Sequence, residues 1–469
     1  MFKNLFLLAS LLASFAAPAQ DVNGKRFEGS WSGTLRLPTV AIDLVFNINQ
    51  TDTGLHASMD SPDQGALGIA VKEVNVKHDS IIMGIPEIAM VYRGKISADT
   101  AILGTFTQHG QSFEMNLSKG APKKVKRPQE PSTAPNYKVE EVVFYNKAAD
   151  IQLAGTLSIP NGKGPFPAIV LVSGSGPQDR DETLLGHKPF LVLADYFTNN
   201  GFAVLRYDDR GVGASGGVFE TASTADFAAD ALAALQYLHT RKDINKRKSG
   251  IMGHSEGAQI AAMLAAHQKE PSFIVMLAGP GMSGDQILLQ QQEFIGKGSG
   301  ASDSAIAQTL RLNKQVFEIM RSSKDTALIR ERMTLFLNHA YNDGLLPHAP
   351  GQSKEEVVAA YNSELLTPWM IHFVQYDPQA DLKQIKIPVL ALIGAKDMQV
   401  LAEYNIPALE KALHHNPAAK VMKLEGLNHL FQEATSGLPQ EYAQIEQTFS
   451  PQAMQIILDW LNTAVLHKK

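Results

Sequence analysis

The pattern of hydrophobic and polar positions divides the chain into two parts with different periodicities. From about Lys25 to Leu117, short runs alternate apolar and polar residues at every second position and are broken by Gly, Asn and Asp. A period of two at this spacing predicts a small antiparallel β domain, a sandwich or barrel, which covers residues 25–119. Its polar residues show no spacing that suits a metal site or an acid–base pair. We therefore expect this domain to pack against the rest of the chain or to present substrate.

After residue 138 the pattern changes to short apolar runs that alternate with stretches of helical period. This alternation predicts βαβ units and hence a mostly parallel sheet covered by helices over residues 138–469. The predicted strands are 141–145, 151–159, 167–173, 203–207, 250–252, 273–278, 388–393 and 420–424. The predicted helices between them are 189–199, 223–240, 256–267, 406–413 and 451–466. The expected fold is α/β, with an eight-stranded, doubly wound sheet.

Two stretches interrupt these periodicities. Residues 120–137 mix basic residues, among them Lys126 and Arg127, with four prolines, which predicts an extended and solvated linker. Between about residues 281 and 377 a long interval of helical patterns separates two predicted strands. A loop of that length is improbable inside a compact core, so we expect an inserted helical cap there. Its apolar side chains are available to line an acyl pocket, although packing within the cap is the commoner role for each of them.

The first nineteen residues have the order of features typical of a secretory signal peptide. Lys3 is followed by an apolar run over residues 5–17 and by Ala17-Pro18-Ala19, which matches a cleavage site. Cleavage there would leave Gln20 as the first residue. The chain contains no cysteine, which excludes disulfides, thiolate metal sites and the lipid anchor of a bacterial lipoprotein. We therefore expect a bacterial protein exported to the periplasm or the medium.

Net charge points to no macromolecular partner. The formal charge of -5 provides no basic surface for nucleic acid. Beyond the N-terminal segment, no run of eighteen apolar residues predicts insertion of the mature chain into a membrane. The composition leaves the oligomeric state open.

A serine between two glycines is the central motif of the chain. Residues 253–257 read Gly-His-Ser-Glu-Gly, which fits the G-x-S-x-G nucleophile elbow. An apolar segment precedes the motif and an alanine-rich helical segment follows it, so strand, turn and helix succeed one another as the elbow requires. A sharp turn that exposes a hydroxyl needs strained backbone at the serine and small residues around it. We therefore expect Ser255 to act as a nucleophile.

A serine nucleophile needs a base, an acid that orients the base, and donors for an oxyanion. Asp397 and His429 each follow a predicted strand, so we expect an acid and a base at the same edge of the sheet as Ser255. The amide of Glu256 is the first expected oxyanion donor. The second should come from the loop Gly174-Ser175-Gly176, with Ser175 as first choice and Gly176 as second.

Other histidines are less suitable as the base. His254 lies inside the elbow but should point away from a bound acyl group, while His187, His372, His414 and His415 lack a strand directly before them. His187 and His372 remain candidates for the pocket wall, from the loop after the third strand and from the cap.

These motifs together resemble the α/β-hydrolase superfamily. The matching segments are residues 173–181, 206–215 and 253–257, with Asp397 and His429. Within the superfamily the chain is similar to secreted bacterial carboxylesterases of the dienelactone-hydrolase and serine-aminopeptidase-like (S33-type) branch. The resemblance covers about residues 137–467. It implies a β domain before the hydrolase, a helical cap after the sixth strand, and a mainly structural role for the run from Asp209 to Ser215.

The resemblance implies a two-step acyl transfer. Ser255 would attack the carbonyl of a small ester with short to medium acyl chains, and water activated by His429 would release the acid, without any cofactor or metal. An aminopeptidase that cleaves at small or prolyl residues is the alternative, and it would need cap carboxylates to hold a free amine. The candidates for that task are Glu293, Glu318, Glu355, Glu356 and Glu364. A binding protein with a vestigial hydrolase is the third and least favoured hypothesis.

Overall fold

The computed structural model describes residues 24–467, apart from residues 37–40, 53, 63–65, 109–110, 121–124, 132–133, 347 and 349–350. The predicted signal peptide and part of the predicted linker therefore lie outside the described residues. Two separate β-sheets are present within the described ranges.

The first sheet forms the N-terminal β domain and is antiparallel throughout. Its strands are β1 (Gly29–Arg36), β2 (Ala41–Thr51), β3 (Gly54–Ser61), β4 (Ala66–Val71), β5 (Glu73–Lys77), β6 (Ser80–Ile85), β7 (Met90–Ala98), β8 (Ala101–Gln108), β9 (Gln111–Glu114) and β10 (Leu117–Lys119). They run in the order β4-β3-β2-β1-β10-β8-β7-β6-β5, and β9 pairs with β8. Trp31, Phe46 and Tyr92 are fully buried between strands, which gives this domain its own apolar core. The predicted antiparallel β domain is confirmed.

The second sheet has eight strands. They are β11 (Lys138–Asn146), β12 (Ile151–Ile159), β13 (Phe166–Val172), β14 (Ala203–Tyr207), β15 (Ile244–His254), β16 (Ile274–Leu277), β17 (Val389–Gly394) and β18 (Ala419–Leu424). The order is β11-β12-β14-β13-β15-β16-β17-β18; only the pairs β11–β12 and β12–β14 are antiparallel. The α/β prediction with a mostly parallel sheet is therefore confirmed.

Helices cover both faces of this sheet. Those outside the cap are α1 (Pro189–Asn199), α2 (Thr224–Thr240), α3 (Glu256–His267), α9 (Gln379–Leu382), α10 (Ala402–Leu413) and α11 (Pro451–Trp460), which continues as one π-type turn to Val465. The apolar faces of α2, α3 and α10 bury one side of the sheet, and those of α1 and α11 bury the other. Because strands such as β16 are buried on both faces, their sequences read as continuous apolar runs.

A helical cap is inserted between β16 and β17, as predicted. Its helices are α4 (Gly284–Gly298), α5 (Asp303–Arg321), α6 (Thr326–Asn342), α7 (Lys354–Leu365) and α8 (Pro368–Gln375). Phe317, Met333 and Val374 belong to a separate apolar core within the cap. The two ends of the insertion meet, because the amide of Gly284 donates to the carbonyl of Tyr376 at 3.2 Å.

The segment between the two sheets is not fully solvated, and that expectation is wrong at two residues. The guanidinium of Arg127 donates to the carbonyls of Leu185, Gly186, Ala443 and Ile445 at 2.7–3.1 Å. The side chain of Gln129 donates to the carbonyl of Phe449 at 2.7 Å and accepts from its amide at 3.0 Å. Because four backbone carbonyls of the hydrolase accept hydrogen bonds from this guanidinium, the segment is bound to the hydrolase surface at Arg127.

A cleft of about 1,610 Å³ separates the β domain from the hydrolase. Polar side chains of β1, β2 and β10 line one wall, while Arg127, Lys188 and Gln444 contribute to the other. Ser255, Asp397 and His429 do not line it, so this cleft is distinct from the candidate active site.

None of the described helices is long and apolar enough to cross a bilayer.

Candidate active site

Ser255 lies at a strained turn between β15 and α3. Its backbone angles are φ 53° and ψ −114°, which a non-glycine residue rarely adopts. A Cβ at position 253 would lie 2.0 Å from the carbonyl oxygen of Gly257, and a Cβ at position 257 would lie 2.0 Å from that of Val172. Only glycine therefore fits on either side. The amide of Ser255 donates to the carbonyl of Leu277 at 2.8 Å, which ties the turn to the neighbouring strand.

Asp397 and His429 come from adjacent loops, after β17 and β18, that are joined backbone to backbone. The amide of Lys396 donates to the carbonyl of Leu427 at 2.9 Å. His429 Nδ1 donates to Asp397 Oδ2 at 2.8 Å, and both residues are at least 96% buried. The other oxygen of Asp397 accepts the amides of Gln399 and Val400 at 2.8 Å each. This arrangement leaves His429 Nε2 as the ring nitrogen that can accept a proton.

Ser255 is connected to this pair through the preceding residue, His254, whose Nε2 lies 3.0 Å from the carbonyl oxygen of His429. The ring of His254, which precedes Ser255, lies 4.9 Å from the ring of His429 between centroids. Within the described ranges the hydroxyl of Ser255 forms no hydrogen bond. The contact between Ser255 and His429 thus stays a prediction, and catalytic hydrogen bonds of this kind often tighten only when substrate binds.

The loop after β13 passes beside the elbow. A Cβ at Gly174 would lie 3.3 Å from the Cβ of Ser255. The amide of Gly174 is occupied by Glu182 Oε1 at 2.8 Å, whereas the amides of Ser175 and Glu256 form no hydrogen bond with a described residue. Gly176 has φ +100°, so the turn of this loop needs glycine there. Ser175 and Glu256 therefore remain the candidate oxyanion donors, with Gly176 as second choice.

Comparison with known proteins places the chain in a family. A family model described as serine aminopeptidase, S33, matches residues 188–431, which is more than half of the chain. The chain belongs to the S33 serine aminopeptidase family. The match contains Ser255, Asp397 and His429, and it omits the N-terminal β domain.

Esterase EstD of Thermotoga maritima is a curated relative of this S33 family member. It is 29% identical over 278 residues, which are 59% of this chain and 58% of EstD. The chain thus matches somewhat more than half the length of that relative. Among solved structures, an esterase of Pyrococcus furiosus aligns with a TM-score of 0.43 at 15% identity, over 74% of this chain and 100% of its own. A hypothetical protein of Pseudomonas aeruginosa gives 0.43 at 16% identity, over 74% and 98%.

Two other histidines of this S33 protein, His187 and His372, make their contacts away from the pair of Asp397 and His429. His187 is fully buried and lies within 3.0 Å of the Thr448 hydroxyl and 2.9 Å of the Tyr442 carbonyl. Burial lowers its pKa to about 4. His372 lies on α8 and stacks on Tyr376 with 5.9 Å between ring centroids. Burial also lowers the pKa of His372.

Sequence reasoning missed the side-chain role of Glu256. It is 3% exposed, and both of its carboxylate oxygens lie 2.9 Å from the indole Nε1 of Trp369 on α8. Burial raises the pKa of this carboxyl to about 7. The elbow motif predicts a role for the amide of Glu256. It does not predict that the side chain of Glu256 contacts the cap.

The charged loop after β14 and the candidate oxyanion loop, residues 174–176, share another carboxylate. Asp209 accepts from the Ser173 hydroxyl at 2.9 Å and from the Gln178 amide at 3.0 Å. Burial raises its pKa well above the ordinary value. Arg210 pairs with Asp230 on α2, with Nε 2.6 Å from Oδ2. These contacts shape the loops beside Ser255.

No group of three or more histidine and carboxylate side chains among the described residues is arranged to hold a metal ion.

Proposed function

We propose that this chain is a serine hydrolase that cleaves carboxylic esters of short to medium acyl chains. The observation that carries the proposal is the buried hydrogen bond between Asp397 and His429 beside the strained turn at Ser255. Membership of the S33 family and the likeness to EstD support it. We also propose export, on the N-terminal sequence alone.

In the first step the oxygen of Ser255 bonds to the ester carbonyl carbon while its proton passes to His429 Nε2. Asp397 stabilises the imidazolium that forms. The amides of Glu256 and Ser175 hold the negative charge that develops on the carbonyl oxygen. Collapse of the intermediate breaks the bond to the alcohol, which leaves with the proton from His429. Water then attacks the acyl-enzyme, gives its proton to His429, and Ser255 recovers a proton as the acid departs.

The family description favours peptidase activity as a second candidate. An aminopeptidase would hold the free amine of its substrate with a carboxylate aimed into the pocket. Glu318, Glu355 and Glu364 are exposed on the cap. Glu293 pairs with Lys297, and Glu356 caps α7 through Ser353. Because these five carboxylates are either solvated or engaged elsewhere, the ester is the preferred substrate.

Hydrolysis of p-nitrophenyl esters from acetate to palmitate, beside aminoacyl-p-nitroanilides, tests the proposal. Ser255→Ala should reduce ester turnover on the order of 10⁶-fold. The control Ser97→Ala, at an exposed serine of the β domain, should match the wild type. Anilide cleavage without ester cleavage would assign the chain to the peptidases. Equal turnover by wild type and Ser255→Ala would contradict both functions.

A further inference from the structure

His254, the residue before the nucleophile, lies between a carboxyl group and a backbone carbonyl. Its Nδ1 is 2.9 Å from Glu182 Oε1, and its Nε2 is 3.0 Å from the backbone carbonyl oxygen of His429. A neutral imidazole has only one N–H group, so it satisfies one of these acceptors and sets a lone pair against the other. With Glu182 ionised, both contacts together require the imidazolium form of His254.

The surroundings support a charged pair. His254 is 7% exposed and Glu182 is 4% exposed. A cavity of about 10 Å³ beside them is otherwise lined by apolar residues: Pro189, Phe190, Leu193, Leu277, Leu430 and Phe449. Burial alone would lower the pKa of His254, but the charge and hydrogen bond of Glu182, the carbonyl of His429 and the charge of Asp397 raise it.

Glu182 connects the same pair to the candidate oxyanion loop. Its Oε1 also accepts the amide of Gly174 at 2.8 Å. The backbone of Glu182 has φ 51°, a left-handed conformation that is strained for a non-glycine residue. Glu182 thus has a strained backbone at the position from which its carboxylate contacts both Gly174 and His254.

We infer that Glu182 and His254 are positioning residues that hold three loops in register: the elbow, the oxyanion loop and the loop of His429. Neither residue contacts substrate. Glu182 fixes the oxyanion loop through Gly174, and His254 fixes the base through the His429 carbonyl. The inference rests on the proposed acyl transfer at Ser255.

Glu182→Gln is the discriminating variant, because a glutamine cannot keep all three contacts with a neutral His254. If the glutamine oxygen accepts from the Gly174 amide and from His254 Nδ1, then Nε2 of the neutral ring has no hydrogen to donate to the His429 carbonyl. If the glutamine NH₂ group takes that position and donates to His254 Nδ1, the Gly174 amide loses its acceptor. Asp381→Asn is the matched control, since Asp381 also binds a histidine, His267, at 2.8 Å, away from the elbow.

We expect Glu182→Gln to lower kcat on the order of 10²-fold with little change in KM, because misplaced groups slow chemistry more than binding. The pH above which kcat falls should also move lower, since His254 without its carboxylate loses its proton at lower pH. Besides Glu182, the titratable groups that face or surround the pair are Asp397, His429 and Asp209. Asp381→Asn should leave kcat and the pH profile unchanged. Wild-type kcat in Glu182→Gln, or a loss without the pH displacement, would overturn the inference.

Neutron diffraction from the wild-type protein near neutral pD tests the same point without any variant. Deuterium on both ring nitrogens of His254 is expected, and deuterium on one alone would overturn the inference. Ser255→Ala in the same ester assay separates the two proposals. If the wild type is no more active than Ser255→Ala, the proposed function fails, while the diffraction result still decides the state of His254.

Discussion

The indole N–H of Trp369 on the cap points at both carboxylate oxygens of Glu256, the residue that follows Ser255, at 2.9 Å each. The ring of Trp369 stacks on Phe373 of the same helix, with 5.2 Å between centroids and 20° between planes. The cap therefore contacts the first turn of α3 through a directional donor held in place by a second ring. Movement of α8 would remove a hydrogen bond from a buried carboxyl.

Glu256→Gln should change the pH dependence of stability. The folded-state pKa is raised to about 7 from an ordinary value of 4.5, so the folded protein holds a proton that the unfolded chain has lost between these values. The contribution of this carboxyl to the free energy of unfolding is fully present below about pH 4.5. It falls by about 3 kcal/mol as the pH rises through 7. Glutamine mimics the protonated form and escapes this loss.

Urea unfolding at about pH 4.5 and pH 8 measures this effect. Relative to the wild type, Glu256→Gln should gain about 3 kcal/mol between the two conditions. Glu364→Gln, at an exposed position of the cap, serves as control and should follow the wild type. A parallel pH dependence of Glu256→Gln and the wild type would contradict the prediction.

Trp369→Phe removes the donor and keeps an aromatic ring against Phe373. The variant should raise the pKa of Glu256 further, because the indole hydrogen bond lowers it. At about pH 8, where the carboxylate is charged, we expect a loss of about 2 kcal/mol in the free energy of unfolding, and a smaller loss at pH 5. A double-mutant cycle with Glu256→Gln at both pH values measures the coupling. Equal losses at the two pH values would be inconsistent with this role for Trp369.

Arg127→Ala tests whether the segment between the sheets stabilises the hydrolase. The guanidinium satisfies four backbone carbonyls, and its loss leaves partly buried acceptors without a charged donor. We expect the free energy of unfolding to fall by about 2–3 kcal/mol. Lys126→Ala is the neighbouring control, because Lys126 is exposed. Similar stabilities of the two variants in urea would show that the contacts of Arg127 contribute little.

Most hydrolase elements could be predicted because their apolar runs end at turn residues. β12, β14, α1 and α3 have the predicted bounds. β15 was predicted too short. It begins at Ile244, not at residue 250, since its first half carries Lys246, Arg247 and Lys248, which leave no apolar run to recognise.

The candidate site was predictable only where a side chain directly follows a strand. Asp397 and His429 fall in that class, and the motif marks Ser255. Glu182 and Trp369 do not, because their contacts join residues 72 and 113 positions apart. Such contacts depend on how the loop after β13 folds back and on where the cap rests, and no local periodicity encodes either. Arg127 was misjudged for the same reason, since its acceptors lie up to 318 positions away.

The closed stem of the cap has a consequence for how such a chain diversifies. The amide of Gly284 meets the carbonyl of Tyr376, and the side chain of Gln379 donates to the carbonyl of Gly281 at 2.7 Å. A continuous segment thus leaves the sheet and returns to it at one point, with its own apolar core in between. Exchange of this segment for another of different shape would leave the strands and loops that carry Ser255, Asp397 and His429 in place, and a new cap would need to satisfy only the carboxyl of Glu256 that Trp369 now contacts.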